Sequence, residues 1–397
     1  MNSHIELLHC IAQKSTRIIL GLMSGTSLDG LDIALCKIEG NGENTKLQLL
    51  NFKTVPYDID IQNSIRTVFS KQQVNLEQLT LLNEWMGKLH ALLINQTLKE
   101  WNIANSEVDI IASHGQTVYH APVSLHQNKK LGNGTLQIGD GDHIAVLTGI
   151  ITLSDFRQKH IAAGGEGAPL AAYGDYLLFK EKKRDVILLN IGGISNFTFL
   201  PSNDEGIFSS DVGPGNTLMD AWMQKNFTHL HFDKDAAVAK KGMVNDALLN
   251  SLFENEFLQT PVPKTTGPEL FNLSFVEAAL QKIETTSISV EDVMATLNFF
   301  TAKTIANTIN EVIQTRTIIY VSGGGLHNPM LMDHLKHLIN NAEILSTLEK
   351  GINPDAKEAI LFALLANEAV AGNPEKTFPK GLKNFPAVSM GKISFTK

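Results

Sequence analysis

Two stretches of this chain share one layout. At 18–37, IILGLMSGTSLDGLDIALCK is apolar, then dense in Gly, Ser, Thr and Asp, then apolar again; at 185–200, DVILLNIGGISNFTFL does the same around Gly192 and Gly193. Each reads as a strand, a Gly-rich turn and a returning strand. Successive backbone N–H groups in such a turn form a concavity suited to a polyanion such as a nucleotide phosphate. One such hairpin is ordinary; two, about half a chain apart, suggest a duplicated nucleotide-binding architecture. Strands alternating with helices elsewhere make the expected fold α/β, with two related lobes and a cleft between them.

The 397 residues are enough for two domains, each with its own core. The division expected is 1–160, carrying the first hairpin, and 161–374, with a tail at 375–397 returning to the first domain. The net charge of −8, with Lys and Arg scattered, speaks against nucleic acid or a membrane surface as partner. Cys10 and Cys36 are too few for a disulfide framework and wrongly spaced for zinc. No apolar stretch reaches membrane-spanning length and the N-terminus does not read as a signal peptide, so a cytoplasmic location is expected.

Periodicity places a third strand near 47–54 and a helix over 75–100, with Leu79, Leu82, Met86, Leu89 and Leu93 on one face and Asn75 as cap. A short strand at 108–113 is expected to run into HGQT at 114–117, with a loop at 121–135, a turn and helix at 137–150 and a strand at 151–156. A Gly-rich loop then enters a helix at 164–179. In the second half, a strand ending at Asp211 precedes helices at 216–224, 243–257, 273–284 and 291–314. A strand, glycine turn and helix follow at 317–339, then an apolar helix at 355–372.

Neither a G-x-x-x-x-G-K-[ST] loop nor a G-x-G-x-x-G after a strand is present, so phosphate binding must use other machinery. In the first turn, Gly25 lets backbone approach phosphate, Thr26 and Ser27 offer hydroxyls, and Asp29 suits a hydrated Mg²⁺. A plain hairpin turn is the competing reading. In SSDVGPGNTLMDAW (209–222), Asp211 sits on a rigid turn at the C-terminal end of a strand, where α/β sheets place ligands and where it can serve as general base; a turn-bonded Asp is the alternative. In VSGGGLHNPM (321–330), Gly323, Gly324 and Gly325 let a flat ring lie on bare backbone and Asn328 offers an amide to ribose or phosphate. A capped helix start with Pro329 at its first position explains the segment equally well. His114 fits a satisfied core residue, Arg157 a solvated charge, Glu358 a capping box with Asp355, and Lys264 a loop charge.

Taken in order, GLMSGTSLDGLDIAL, SHGQTVYH, QIGD, SDFR with IAAGGEGAPL, NIGGISN, DVGPGNTLMDAW, KTTG and VSGGGLHNPMLM resemble the anhydro-N-acetylmuramic acid kinases from about residue 18 to 370. The resemblance implies the actin, hexokinase and heat-shock ATPase fold, whose paired lobes close on ATP. It also implies a reaction of cell-wall sugar recycling: ATP, 1,6-anhydro-N-acetylmuramic acid and water give ADP and N-acetylmuramic acid 6-phosphate. By motif matching, Asp211 is the base. Ser24, Gly25, Thr26, Ser27, Leu28, Asp29, Gly30 and Leu31 hold ATP phosphates, with Gly192, Gly193, Gly323, Gly324, Gly325 and Asn328 completing the nucleotide site. His114, Gln116, Thr117, Arg157 and Glu358 line the sugar site, Asp29 serves Mg²⁺, and a homodimer is implied. A kinase for another sugar and a non-catalytic ATP-binding protein are the alternatives. The chain departs from the family pattern at Met23, where the superfamily usually has Asp. It also departs at Gln158, Lys159 and His160, at Glu166, at Ala171 and Ala172, at Pro268, and in the tail.

Overall fold

The computed structural model describes residues 2–25, 28–203, 205–227, 229–283, 288–379 and 385–397. Its strands are β1 (Thr16–Ser24), β2 (Gly30–Glu39), β3 (Lys46–Pro56), β4 (Ile110–Ala121), β5 (Gly134–Ile138), β6 (Thr152–Ser154), β7 (Val186–Ile191), β8 (Ile194–Leu200), β9 (Phe208–Pro214), β10 (Thr317–Ser322), β11 (Ala342–Ser346) and β12 (Lys392–Ser394). The chain divides into two compact units, 1–178 with 351–397, and 179–350.

In the first unit the sheet order is β12-β6-β4-β1-β2-β3, with β5 beside β4. β1, β2 and β3 form an antiparallel meander, β4 runs parallel to β1, and β6 parallel to β4. In the second unit the order is β11-β10-β7-β8-β9. Here β7, β8 and β9 form the meander, β10 runs parallel to β7, and β11 parallel to β10. The order and sense of β6-β4-β1-β2-β3 match those of β11-β10-β7-β8-β9, so the duplication expected from the two Gly-rich hairpins is present in the topology, with β5 and β12 added in the first unit.

β1 is almost continuously buried, as a strand covered on both faces must be. The helix Lys357–Ala371 packs on β1, β2 and β4. Gly21 permits that approach, because a Cβ there would lie 2.0 Å from the Ala359 carbonyl oxygen. Leu20, Leu22, Ile33 and Ile111 pack with Met86, Ile94 and Leu98 of the long helix Leu76–Glu100. Asn75 caps that helix, its Oδ1 accepting from Gln78 N at 3.1 Å. In the second unit, Ile187, Leu189, Ile191 and Val212 pack with Leu297, Phe300, Ile305 and Ile309 of the helix Val290–Val312.

Several boundaries move. The units part at the end of the helix Ala171–Phe179, not at 160, and again at 350/351, because the helix Lys357–Ala371 belongs to the first sheet. The tail lies in the first unit, β12 pairing with β6. HGQT lies inside β4, which continues to Ala121 by pairing with β5. Asp211 lies inside β9, opposite Asn196, where a bulge interrupts the β8–β9 register. The loop expected at 121–135 contains a helical turn, Val123–His126. The helices expected at 243–257 and 273–284 are confined to Asp246–Phe253 and Leu273–Gln281, and residue 284 is outside the described residues.

Candidate active site

In the first unit, β1 delivers Ser24 and Gly25 to the hairpin turn; Thr26 and Ser27 lie outside the described residues. Leu28 is the turn's anchor. It is buried at a left-handed φ of +59°, and its N–H donates to the Gly25 carbonyl at 3.4 Å. Asp29 is exposed, and its carbonyl accepts from Tyr57 N at 2.9 Å. Gly30 and Leu31 are already in the β2–β3 ladder, opposite Pro56 and Val55. Ser24 Oγ donates to Gln116 Oε1 at 2.6 Å, and Gln116 Nε2 donates to the Gly25 carbonyl at 3.1 Å. Gln116 is therefore bonded to the turn itself. Met23 lies opposite Asp32 in the β1–β2 register. Burial raises the proton affinity of Asp32, Thr54 opposes that, and the charges of Asp29 and Asp355 add to it.

A second cluster of the same unit gathers around Arg157, at the start of the helix Phe156–Ala162. Its Nε donates to His114 Nε2 at 2.8 Å and its Nη1 to the Gly167 carbonyl at 2.7 Å. The His114 ring, 2% exposed, packs 4.7 Å from Phe362. Burial, then the charge of Arg157, holds its pKa well below the ordinary value. His114 is thus neutral and accepts through Nε2, which puts its ring proton on Nδ1. Arg157, pushed down to about 10 by burial against the pull of Glu358, stays cationic at neutral pH. Gly167 is held from both sides, since its N–H donates to His160 Nδ1 at 2.9 Å. Thr117 is half-buried, its hydroxyl accepting from Gln137 Nε2 at 3.3 Å.

Glu358 lies in the first turn of the helix Lys357–Ala371. The capping box with Asp355 does not form: the helix begins after Ala356 with no side-chain cap. Glu358 keeps solvent access while the protein packed around it desolvates its carboxyl. Desolvation raises its proton affinity, and Arg157 and Lys357 pull it down. The carboxylate and guanidinium therefore form an electrostatic pair, although Arg157 spends two of its donors on protein acceptors.

In the second unit, the β7–β8 turn is held largely by backbone, with Asn216 Nδ2 also donating to the Ile191 carbonyl at 3.4 Å. Gly215 N and Thr217 N donate to the Gly193 carbonyl at 2.8 and 3.1 Å, and Asn216 N to the Gly192 carbonyl at 2.8 Å. Asp211 projects from β9 beside the segment 264–266. Its N–H donates to the Lys264 carbonyl at 2.9 Å, and its Oδ2 accepts from Thr266 N at 2.9 Å. The Thr266 N–H thus orients one oxygen of the Asp211 carboxylate. Burial raises the proton affinity of Asp211; the Thr266 N–H lowers it and Glu269 raises it. Lys264, read from sequence as a loop charge, is buried instead. Its ammonium donates to the Phe257 carbonyl at 3.1 Å and lies 4.6 Å from the Phe257 ring centroid.

The three glycines after β10 differ in what packing asks of them. At Gly323, with φ +85°, a Cβ would lie 2.7 Å from Ile191 O, and at Gly325 it would lie 2.3 Å from Ile191 Cγ2. Gly324 is exposed and a Cβ would meet only Asn216 Nδ2, at 3.4 Å, so packing does not demand glycine there. Asn328 is the helix cap: its Oδ1 accepts from Leu331 N at 3.0 Å and from Asn298 Nδ2 at 3.1 Å. Tyr57 and His90 carry part of this architecture without a motif to announce them, whereas the 264–266 backbone lies in the KTTG block.

The family described as anhydro-N-acetylmuramic acid kinase matches residues 17–395. Among relatives, the anhydro-N-acetylmuramic acid kinase of Pseudoalteromonas atlantica is 54% identical over 400 residues, covering all of both chains. That of Pseudoalteromonas translucida is 53% identical with the same coverage. That of Caldanaerobacter subterraneus is 37% identical over 391 residues, 97% of this chain and 98% of its own. With a match over nearly its whole length, and with the duplicated α/β units that the paired hairpins foretell, this chain belongs to the anhydro-N-acetylmuramic acid kinase family.

Proposed function

We propose that this kinase uses ATP and water to convert 1,6-anhydro-N-acetylmuramic acid to N-acetylmuramic acid 6-phosphate, in the cytoplasm and in recycling of cell-wall sugar. The observation that carries the reading is Asp211, a carboxylate oriented by the Thr266 N–H and made more basic by burial. In this reading Asp211 removes a proton from water as the water oxygen bonds to the anomeric carbon. The anomeric C–O bond of the anhydro bridge breaks, and the released 6-oxygen takes the terminal phosphoryl group. Arg157, with Glu358, is assigned to the sugar. His114 supports that assignment indirectly, since it is bonded to Arg157, whereas Gln116 is bonded to Gly25 of the 24–31 turn. The 24–31 turn and the Gly192–Gly193 and Gly323–Gly325 turns are assigned to the nucleotide.

For Mg²⁺ the donor set fits a hydrated ion better than a caged one. Among the described residues no group of three His, Cys, Asp or Glu side chains is placed to hold a metal. Asp29 and Asp32 are close enough for the charge of the first to raise the proton affinity of the second. One or two carboxylates facing a water-rich shell is how Mg²⁺ is usually held beside phosphates. Such an ion neutralises charge on the phosphate oxygens, and Asp29 is the residue assigned to it.

No helix among the described residues is long and apolar enough to cross a membrane. A homodimer is proposed from family membership, and light scattering on the purified protein checks it.

The deciding experiment incubates purified protein with Mg-ATP and the anhydro sugar in ¹⁸O-labelled water. The expected product is a 6-phosphorylated reducing sugar carrying one solvent oxygen; ADP formed without that label refutes the mechanism. Asp211→Asn should lower kcat by about 10²–10⁴-fold, the usual worth of a general base, with ATP binding retained. Preference for a plain hexose would favour a kinase for another sugar. Nucleotide-dependent partner capture with no sugar turnover would favour a binding protein.

A further inference from the structure

Four side chains of the first unit form an unbroken hydrogen-bonded line behind the 24–31 turn. His90 Nε2 lies 2.9 Å from Tyr57 Oη, and Tyr57 Oη 2.9 Å from Ser24 Oγ. Ser24 Oγ lies 2.6 Å from Gln116 Oε1, and Gln116 Nε2 reaches the Gly25 carbonyl at 3.1 Å. Ser24, Tyr57, His90 and Gln116 are each no more than 3% exposed, so water does not complete their bonding.

Counting hydrogens gives the line one direction. Gln116 Nε2 faces two carbonyls, Gly25 O and Thr117 O, both at 3.1 Å, so its NH₂ points there and its Oε1 toward Ser24. Ser24 has a single hydroxyl hydrogen, and the short contact places it on Gln116 Oε1. Tyr57 must then donate to Ser24, and His90 must donate to Tyr57 from Nε2. Burial pushes His90 down to about 4, so the ring is neutral at physiological pH. Its Nδ1, unpartnered among the described residues, is then the nitrogen without a proton.

We infer that His90 and Tyr57 are positioning residues for the phosphate-binding turn: acting through Ser24 and Gln116, they hold the Gly25 carbonyl inward. Held inward on Gln116, that carbonyl oxygen does not face, and so does not repel, the anion that the turn is read to bind. Ser24 acts within this line and not on the nucleotide, because its only hydrogen is committed. The inference rests on the reading of 24–31 as the phosphate turn. The competing account is a buried polar network that stabilises the core and nothing more.

Tyr57→Phe, Ser24→Ala and the double variant separate the two accounts through KM for ATP, KM for the anhydro sugar, kcat and thermal melting. Tyr57→Phe should raise KM for ATP about tenfold, the scale of one buried hydrogen bond, and leave KM for the sugar within about twofold. The double variant should be no worse than the more impaired single, since both break the same line. His90→Gln, which keeps an N–H donor, should recover much of what His90→Leu loses, and this pair decides the matter if Tyr57→Phe does not fold. A lowered melting temperature with KM for ATP unmoved, or single effects that multiply, overturns the inference.

Gly25→Val tests the parent reading. If it raises KM for ATP while Tyr57→Phe does not, the positioning role fails alone. If Gly25→Val leaves KM for ATP unmoved, the turn does not hold phosphate and both fall.

Discussion

The two units repeat one sheet topology but hold their first hairpin turns by different means. In the second unit the β7–β8 turn is fastened by backbone, with three N–H groups of residues 215–217 on the carbonyls of Gly192 and Gly193. In the first unit the β1–β2 turn is fastened largely by side chains, from His90 and Tyr57 through Ser24 and Gln116 to Gly25. A backbone clamp needs glycine wherever two chains meet closely, so it leaves a mark in the motif. A side-chain clamp draws on residues far apart in sequence, such as Tyr57 and His90, and leaves none.

The sharpest way to break this contrast is to add one methyl group to the backbone clamp. A Cβ at Gly215 would lie 2.2 Å from the Gly192 carbonyl oxygen and 3.1 Å from that of Gly193. Neither atom can rotate away as a flexible side chain would. Gly215→Ala should therefore destabilise the second unit by about 1–3 kcal/mol, the usual cost of overpacking. At roughly 2–4 °C per kcal/mol for a unit of this size, calorimetry should show a drop of several degrees. A melting temperature unchanged from the parent would mean the turn is not clamped as described.

The same contrast explains what was legible. The paired hairpins, the Asp211 block and the glycine turn after β10 were visible because each needs particular residue types at fixed spacing. Asn75 and Asn328 could be placed as caps for the same reason, and both cap their helices. The spacing of Asp355 and Glu358 misled, because the helix starts after Ala356 with no side-chain cap. Lys264 reads as surface charge, yet it is buried with its ammonium on a carbonyl and over an aromatic ring, chemistry that only the tertiary fold supplies. His90 looks from sequence like any polar residue on a long helix. What distinguishes it is the Tyr57 hydroxyl, brought to it from the end of β3.

Arg157 extends the side-chain logic to the sugar assignment. A lysine in its place has no rigid fork, so it cannot reach both His114 Nε2 and the Gly167 carbonyl in the observed geometry. Arg157→Lys would leave the buried His114 acceptor unsatisfied, a loss of about 1–2 kcal/mol. Steady-state kinetics should show KM for the anhydro sugar raised about tenfold and KM for ATP unmoved. A rise confined to ATP would reassign Arg157 from the sugar to the nucleotide.

The smallest effect tests the electrostatics around Asp211. As a base, Asp211 must be unprotonated, so kcat/KM should fall on the acid side as it takes up a proton. Burial is the main reason its proton affinity lies above the ordinary carboxylate value; the Thr266 N–H works against burial, and the negative charge of Glu269 adds to it. Removing that charge in Glu269→Gln lowers the proton affinity, so the acid limb should move to lower pH. Below the parent's midpoint the variant should therefore be the more active enzyme, and the two should converge on the alkaline side of the limb, where Asp211 is ionised in both. Glu269 is exposed, so salt should screen its influence and shrink the difference between the two profiles. An acid limb that moves to higher pH, or not at all in low salt, would show that the group titrating in the profile is not Asp211.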